Sequence, residues 1–124
     1  MRNTNIRRIN QQDNYGNHFH TCGSVTSAAT STPIYTPPTG HKFVITDILI
    51  STSNDNFISI SEDGNGVCAN IWQLVADTQA RTSLNFNHSF NTPYFSIKAG
   101  NEILITTTTN ANVYYSITGY YIKG

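Results

Sequence analysis

The chain has 124 residues, the size of one domain. Only 11% of residues are charged, and seven basic and seven acidic residues cancel. That leaves no large basic face to support a nucleic-acid-binding domain. Polarity comes instead from 17 Thr, 15 Asn and 11 Ser, while Leu occurs only four times. These residue types favour strands and turns over helix interiors.

Residues 1–24 read as an extended N-terminal arm, with scattered apolar residues and no alternation of strand length. Arg2, Arg7 and Arg8 precede the first acid, Asp13, so residues 1–12 carry +3. With Arg2, Ile6, Arg7, Arg8, Ile9, Tyr15 and Phe19, this arm has charges and spaced hydrophobic anchors for attachment to an acidic protein surface, or for a weak touch on nucleic acid; a solvated tail is the plainer account of its charge. The start is polar and without the apolar core of a secretory signal, and no run reaches the ~20 apolar residues of a membrane helix. Cys22 and Cys68 are expected as reduced thiols, with a single bridge as the alternative.

Residues 25–124 read as one β-sandwich domain. Val25–Tyr35 is a Ser/Thr-rich strand region closed by the Tyr35-Thr36-Pro37-Pro38-Thr39-Gly40 break. His41–Ser51 is the clearest strand, with Val44, Ile48 and Ile50 on one face and Phe43, Ile45 and Leu49 on the other. Phe57–Glu62 alternates through Ile58 and Ile60 and runs into a Glu62-Asp63-Gly64-Asn65-Gly66 hairpin turn. Val67–Val75, Arg81–His88, Tyr94–Ile97, Glu102–Thr109 and Val113–Lys123 follow, with Asn91-Thr92-Pro93 as a break. About eight strands punctuated every 8–12 residues predict an antiparallel sandwich of two four-stranded sheets, an eight-stranded jelly roll.

Three blocks carry a resemblance. They are the Pro38-Thr39-Gly40 turn into Lys42-Phe43-Val44-Ile45-Thr46-Asp47-Ile48, the run from Pro93-Tyr94-Phe95 through Gly100 to Ile105, and the terminal Gly119-Tyr120-Tyr121. From Thr39 to Gly124 the chain resembles small jelly-roll modules of bacteriophage structural proteins, of the head-fibre, decoration and tail-associated kinds, whose shape is similar to the trimeric tumour-necrosis-factor-like jelly roll. The resemblance implies a non-enzymatic virion protein made in the host cytoplasm. It also implies a homotrimer that contacts other virion proteins, with no nucleic acid or membrane partner.

The residues add candidate sites. In the last strand Tyr114 and Tyr120 share one face and Tyr115 and Tyr121 the other, so one pair packs inside and the other is offered to a subunit interface. His18 and His20 fall on one side of an extended chain, with Cys22 at the same parity. Three copies around a threefold axis would bring six imidazoles to a metal ion. Without a metal, these are polar side chains that hydrogen-bond to a neighbour. The G-x-H-x-H stretch is similar to metal-binding segments of trimeric phage fibres. Asp55 and the Asp63 turn offer oxygen ligands for calcium. Trp72 with Asn70 and Gln73 offers a stacking platform for a host-surface glycan, the basis of the alternative reading as a receptor- or carbohydrate-binding tip. A core Trp is the plainer account. No nucleophile elbow, phosphate loop or carboxylate pair stands out, so no enzyme is expected.

Overall fold

The computed structural model describes residues 17–26, 31–52, 55–64, 68–76, 84–109 and 112–124. Eight strands account for most of them: β1 (His18–Val25), β2 (Thr32–Tyr35), β3 (His41–Thr52), β4 (Asn56–Asp63), β5 (Ala69–Ala76), β6 (Leu84–Phe95), β7 (Glu102–Thr107) and β8 (Val113–Lys123). They form two four-stranded antiparallel sheets, β1-β8-β3-β6 and β2-β7-β4-β5, which make a β-sandwich. The pairings nest: β1 lies on β8, β2 on β7, β3 on β6 and β4 on β5.

The core lies between the sheets. Phe19, Val25, Phe43, Ile45, Ile48, Ile50, Val113 and Ile117 come from one sheet, and Ile58, Ile60, Ile103 and Ile105 from the other. Alternation places most of them: Ile58/Ile60 and Ile103/Ile105 fall on single faces at a period of two. Turns at Gly40 (φ 80°) and Gly100 (φ 86°) use the left-handed region that the sequence reserves for glycine there.

The inward face of β3 departs from simple alternation. Ile45 lies opposite Gly119 and Asp47 opposite Thr118, so Thr46 is an extra residue, a β-bulge. The bulge switches parity. Phe43 and Ile45 face the core before it, and Ile48, Ile50 and Thr52 after it. Val44 is therefore not on the face of Ile48, as strict alternation predicts, and Leu49 turns outward.

Two further expectations change. The sandwich begins at His18 rather than residue 25, because β1 pairs along its whole length with β8. Phe19 is a core residue, 7% exposed and stacked on Tyr35 with ring centroids 3.9 Å apart. The Asn91-Thr92-Pro93 break does not end a strand. β6 runs through it, and its register against β3 jumps from Ser89 to Tyr94. β6 is an edge strand, where a proline without an N–H costs no ladder bond.

Candidate interaction surface

The register fixes which side chains the outer face of the β1-β8-β3-β6 sheet carries. Directly opposed residues share a face. His18, His20, Cys22 and Ser24 of β1 lie opposite Tyr120, Thr118, Ser116 and Tyr114 of β8. Those β8 residues oppose Val44, Asp47, Leu49 and Ser51 of β3, and Asn85, Asn87, Ser89 and Phe95 of β6 complete the rows. Tyr114, Leu49 and Phe95 are 54%, 44% and 50% exposed, a high exposure for large apolar side chains. Val44 is fully covered although it points outward, because Tyr120 and Phe95 flank it across the strands.

A hollow of about 100 Å³ opens on this sheet between Leu49, Ser51, Tyr114, Tyr115 and Ser116. Two polar pairs lie on the same face, one of them at the rim of the hollow. Ser89 Oγ donates to Asp47 Oδ1 at 2.6 Å, and His20 Nε2 pairs with Ser116 Oγ at 2.6 Å.

The four tyrosines of β8 divide between the two faces. Tyr114 and Tyr120 lie on the outer face. Tyr115 packs against the core, and Tyr121 lies opposite the buried Phe43 with its ring edge-on to His41 at 5.3 Å. His18, His20 and Cys22 do share the outer face, on the edge strand β1. Among the described residues, however, no three His, Cys, Asp or Glu side chains converge to hold a metal ion. Asp55 and Asp63 flank the two ends of β4 and do not meet, and Asp63 Oδ1 accepts from the Gly64 N–H at 2.7 Å. Trp72 lies opposite the buried Ile60 and packs against the core, whereas Asn70 lies opposite Ser61 on the outer face. A single sugar platform does not form from that pair. Trp72 instead stacks with His88 of β6 at 6.2 Å and closes the β5–β6 edge of the sandwich. Cys22 and Cys68 are free and exposed. Arg2, Ile6, Arg7, Arg8, Ile9 and Tyr15 lie outside the described residues.

Sequence reasoning missed a buried polar group that takes four hydrogen bonds. Glu62, fully buried, ends the inward row of Ile58 and Ile60. Its Oε1 accepts from Ser96 Oγ (2.8 Å), the Ile97 N–H (3.0 Å) and Asn101 Nδ2 (2.9 Å), and its Oε2 accepts from the Tyr94 hydroxyl. Burial, and then the hydrogen bond and charge of Glu62, hold the Tyr94 phenol far above its usual range. Burial and the neighbouring Tyr121 likewise push Tyr35 up to about 12. The network ties β4 to β6 and to the 96–101 turn. It is a brace in which both carboxylate oxygens accept, and no buried side-chain polar atom among the described residues lacks a partner.

No model of a known protein family matches this chain, and no curated protein does.

Proposed function

We propose that this chain is a non-enzymatic structural protein of a bacteriophage virion, in a capsid-decoration, head-fibre or tail-associated position. In this reading it folds as a jelly roll, assembles as a homotrimer through its sandwich, and attaches to other virion proteins through its N-terminal arm. It is made in the host cytoplasm and ends in the particle. The nested pairing of eight strands supports the jelly roll, since a long two-stranded ribbon wrapped on itself gives that order in both sheets.

The observation that carries the assembly reading is the outer face with Tyr114, Leu49 and Phe95 exposed. Interfaces are enriched in aromatic residues and poor in charge at their centre. The arm reading is narrowed by β1: attachment falls to residues 1–16, because His18–Val25 belongs to the sheet.

The test has two parts. The solution mass of the full chain is expected at three times 13.7 kDa. A chain lacking residues 1–16 is expected to remain an assembly of three chains and to lose incorporation into phage particles produced in its presence. A stable monomer, or incorporation that is indifferent to residues 1–16, overturns the reading. So does a change in the number of chains on removing them.

A further inference from the structure

We propose that Asp63-Gly64, at the end of β4, is a self-modifying site, where the Gly64 amide nitrogen closes on the Asp63 carboxyl carbon and the ring reopens to isoaspartate. The site is independent of the assembly reading above.

The chain has five aspartates, at 13, 47, 55, 63 and 77, and only Asp63 is followed by glycine. A side chain on the following residue shields the attacking nitrogen, and glycine leaves it open. Asp47 is followed by the β-branched Ile48 within β3, and its carboxylate is held by Ser89. Asp55 is followed by the buried Asn56. Asp63 is different. It is the last residue of β4 paired with β7, and Gly64 lies beyond the ladder. Both are exposed, so water reaches them. Asp63 Oδ1 already accepts from the Gly64 N–H at 2.7 Å. The carboxyl carbon lies one C–O bond further, ~1.2 Å, so the reacting atoms are within about 4 Å of each other. A reaction-ready pair stands at ~3–3.5 Å, which a small turn of the Asp63 side chain reaches. The fold also keeps the glycine in place. Gly64 has φ 154°, and a Cβ there would stand 3.3 Å from Asn101 Cα and from the Gly100 carbonyl oxygen.

The chemistry needs only water. The Gly64 nitrogen bonds to Cγ of the carboxyl in its acid form. The amide proton passes to solvent and the acid hydroxyl leaves as water, giving a succinimide. A water molecule then opens the ring. Opening at the main-chain carbonyl of Asp63 leaves the nitrogen on Cγ, which is isoaspartate; opening at Cγ restores aspartate. Isoaspartate lengthens the main chain by a methylene directly after the buried Glu62.

The full chain, kept folded in warm neutral buffer for weeks and then digested with trypsin, tests this. No Lys or Arg lies between Lys42 and Arg81, so one peptide, residues 43–81, carries Asp47, Asp55, Asp63 and Asp77. Electron-transfer fragmentation distinguishes isoaspartate from aspartate. It should show a growing isoaspartate fraction at 63 and a several-fold lower one at the other three. The peptide mass should not change on this account, whereas deamidation at Asn65-Gly66 raises it. Asp63→Glu should abolish conversion at 63, because the larger ring closes far more slowly. Asp63→Asn should convert faster, with ammonia leaving in place of water. Circular dichroism confirms that each variant folds, and Asp63→Ser replaces the Glu variant if it does not. Isoaspartate at 63 no higher than at 47, 55 and 77 overturns the proposal, as does an Asn variant no faster than the wild type. Conversion that is absent in buffer and appears only in step with unfolding by urea also overturns it, since the folded site would then be inert.

Discussion

Gly119 sits where β1, β8 and β3 crowd together. It lies opposite both Phe19 and Ile45, just where Thr46 bulges out of β3. A Cβ there would stand 1.9 Å from the Val44 carbonyl oxygen and 2.9 Å from the Phe19 ring. The first of these is backbone and cannot step aside without parting β8 from β3. Gly119→Ala should therefore cost about 3 kcal/mol or more, the upper range for overpacking. Gly23 makes the comparison. Its added methyl would meet the Tyr115 hydroxyl at 2.8 Å, the far end of a side chain that can move. Gly23→Ala should change stability by under about 1 kcal/mol, because relief of glycine's entropy offsets the contact. Urea midpoints of the two variants, at unchanged slope, decide the matter. Equal losses would mean that the close approach at Gly119 is not what fixes the residue.

At the scale of elements, Glu62 joins β4 to the end of β6 and to the 96–101 turn, 32 to 39 residues away in sequence. Glu62→Leu removes the acceptor for four donors in a place with no water access, and should cost about 3 kcal/mol or more. Glu62→Gln keeps a carbonyl for the three donors at Oε1 and should cost about 1–2 kcal/mol, mostly lost charge assistance. Hydrogen exchange at the Ile97 amide should accelerate far more in the Leu variant. If both variants exchange like the wild type, the brace does not hold the 96–101 turn. The parity of Ile58 and Ile60 pointed to Glu62 as the next inward position. The residue type argued otherwise, because a lone Glu beside Asp63-Gly64 reads as a solvated turn. Its partners are distant in sequence, so no local pattern could name them. Two element boundaries failed for related reasons. β1 offers only Phe19 and Val25 as buried apolar residues, with Thr21 and Gly23 at the inward positions between them, so its alternation is faint. β6 hides behind Pro93, which stops a central strand but not an edge strand. The strongly patterned strands β3, β4, β7 and β8 were legible, as was the sandwich class. The parity of β3 was not, because one bulged threonine leaves no mark in composition.

Across the whole molecule, two tyrosines cross between the sheets, one near each edge. Tyr35 of β2 stacks on Phe19 of β1, and Tyr94 of β6 reaches Glu62 of β4. Both phenols hold their protons more tightly in the folded chain than an ordinary tyrosine at 10.0, Tyr35 to about 12 and Tyr94 higher still. Below pH 10 both states are protonated, and the contribution of these groups is fully present. As pH climbs past 10 the unfolded chain releases these protons first, so its free energy falls relative to the fold. Stability should be flat with respect to these two groups below pH 10 and decline through pH 12, with the sheets separating in one cooperative step. Tyr94→Phe removes one of the two titrations, so its melting temperature should fall less steeply over the same interval, from a lower starting value because Glu62 Oε2 loses its donor. Thermal scans across that range, with phenolate absorbance followed in parallel, give both slopes. A Tyr94→Phe slope as steep as the wild type would show that the alkaline limit is set elsewhere. Loss of β-structure well below pH 10, where both phenols are still protonated, would show that other groups set the alkaline limit.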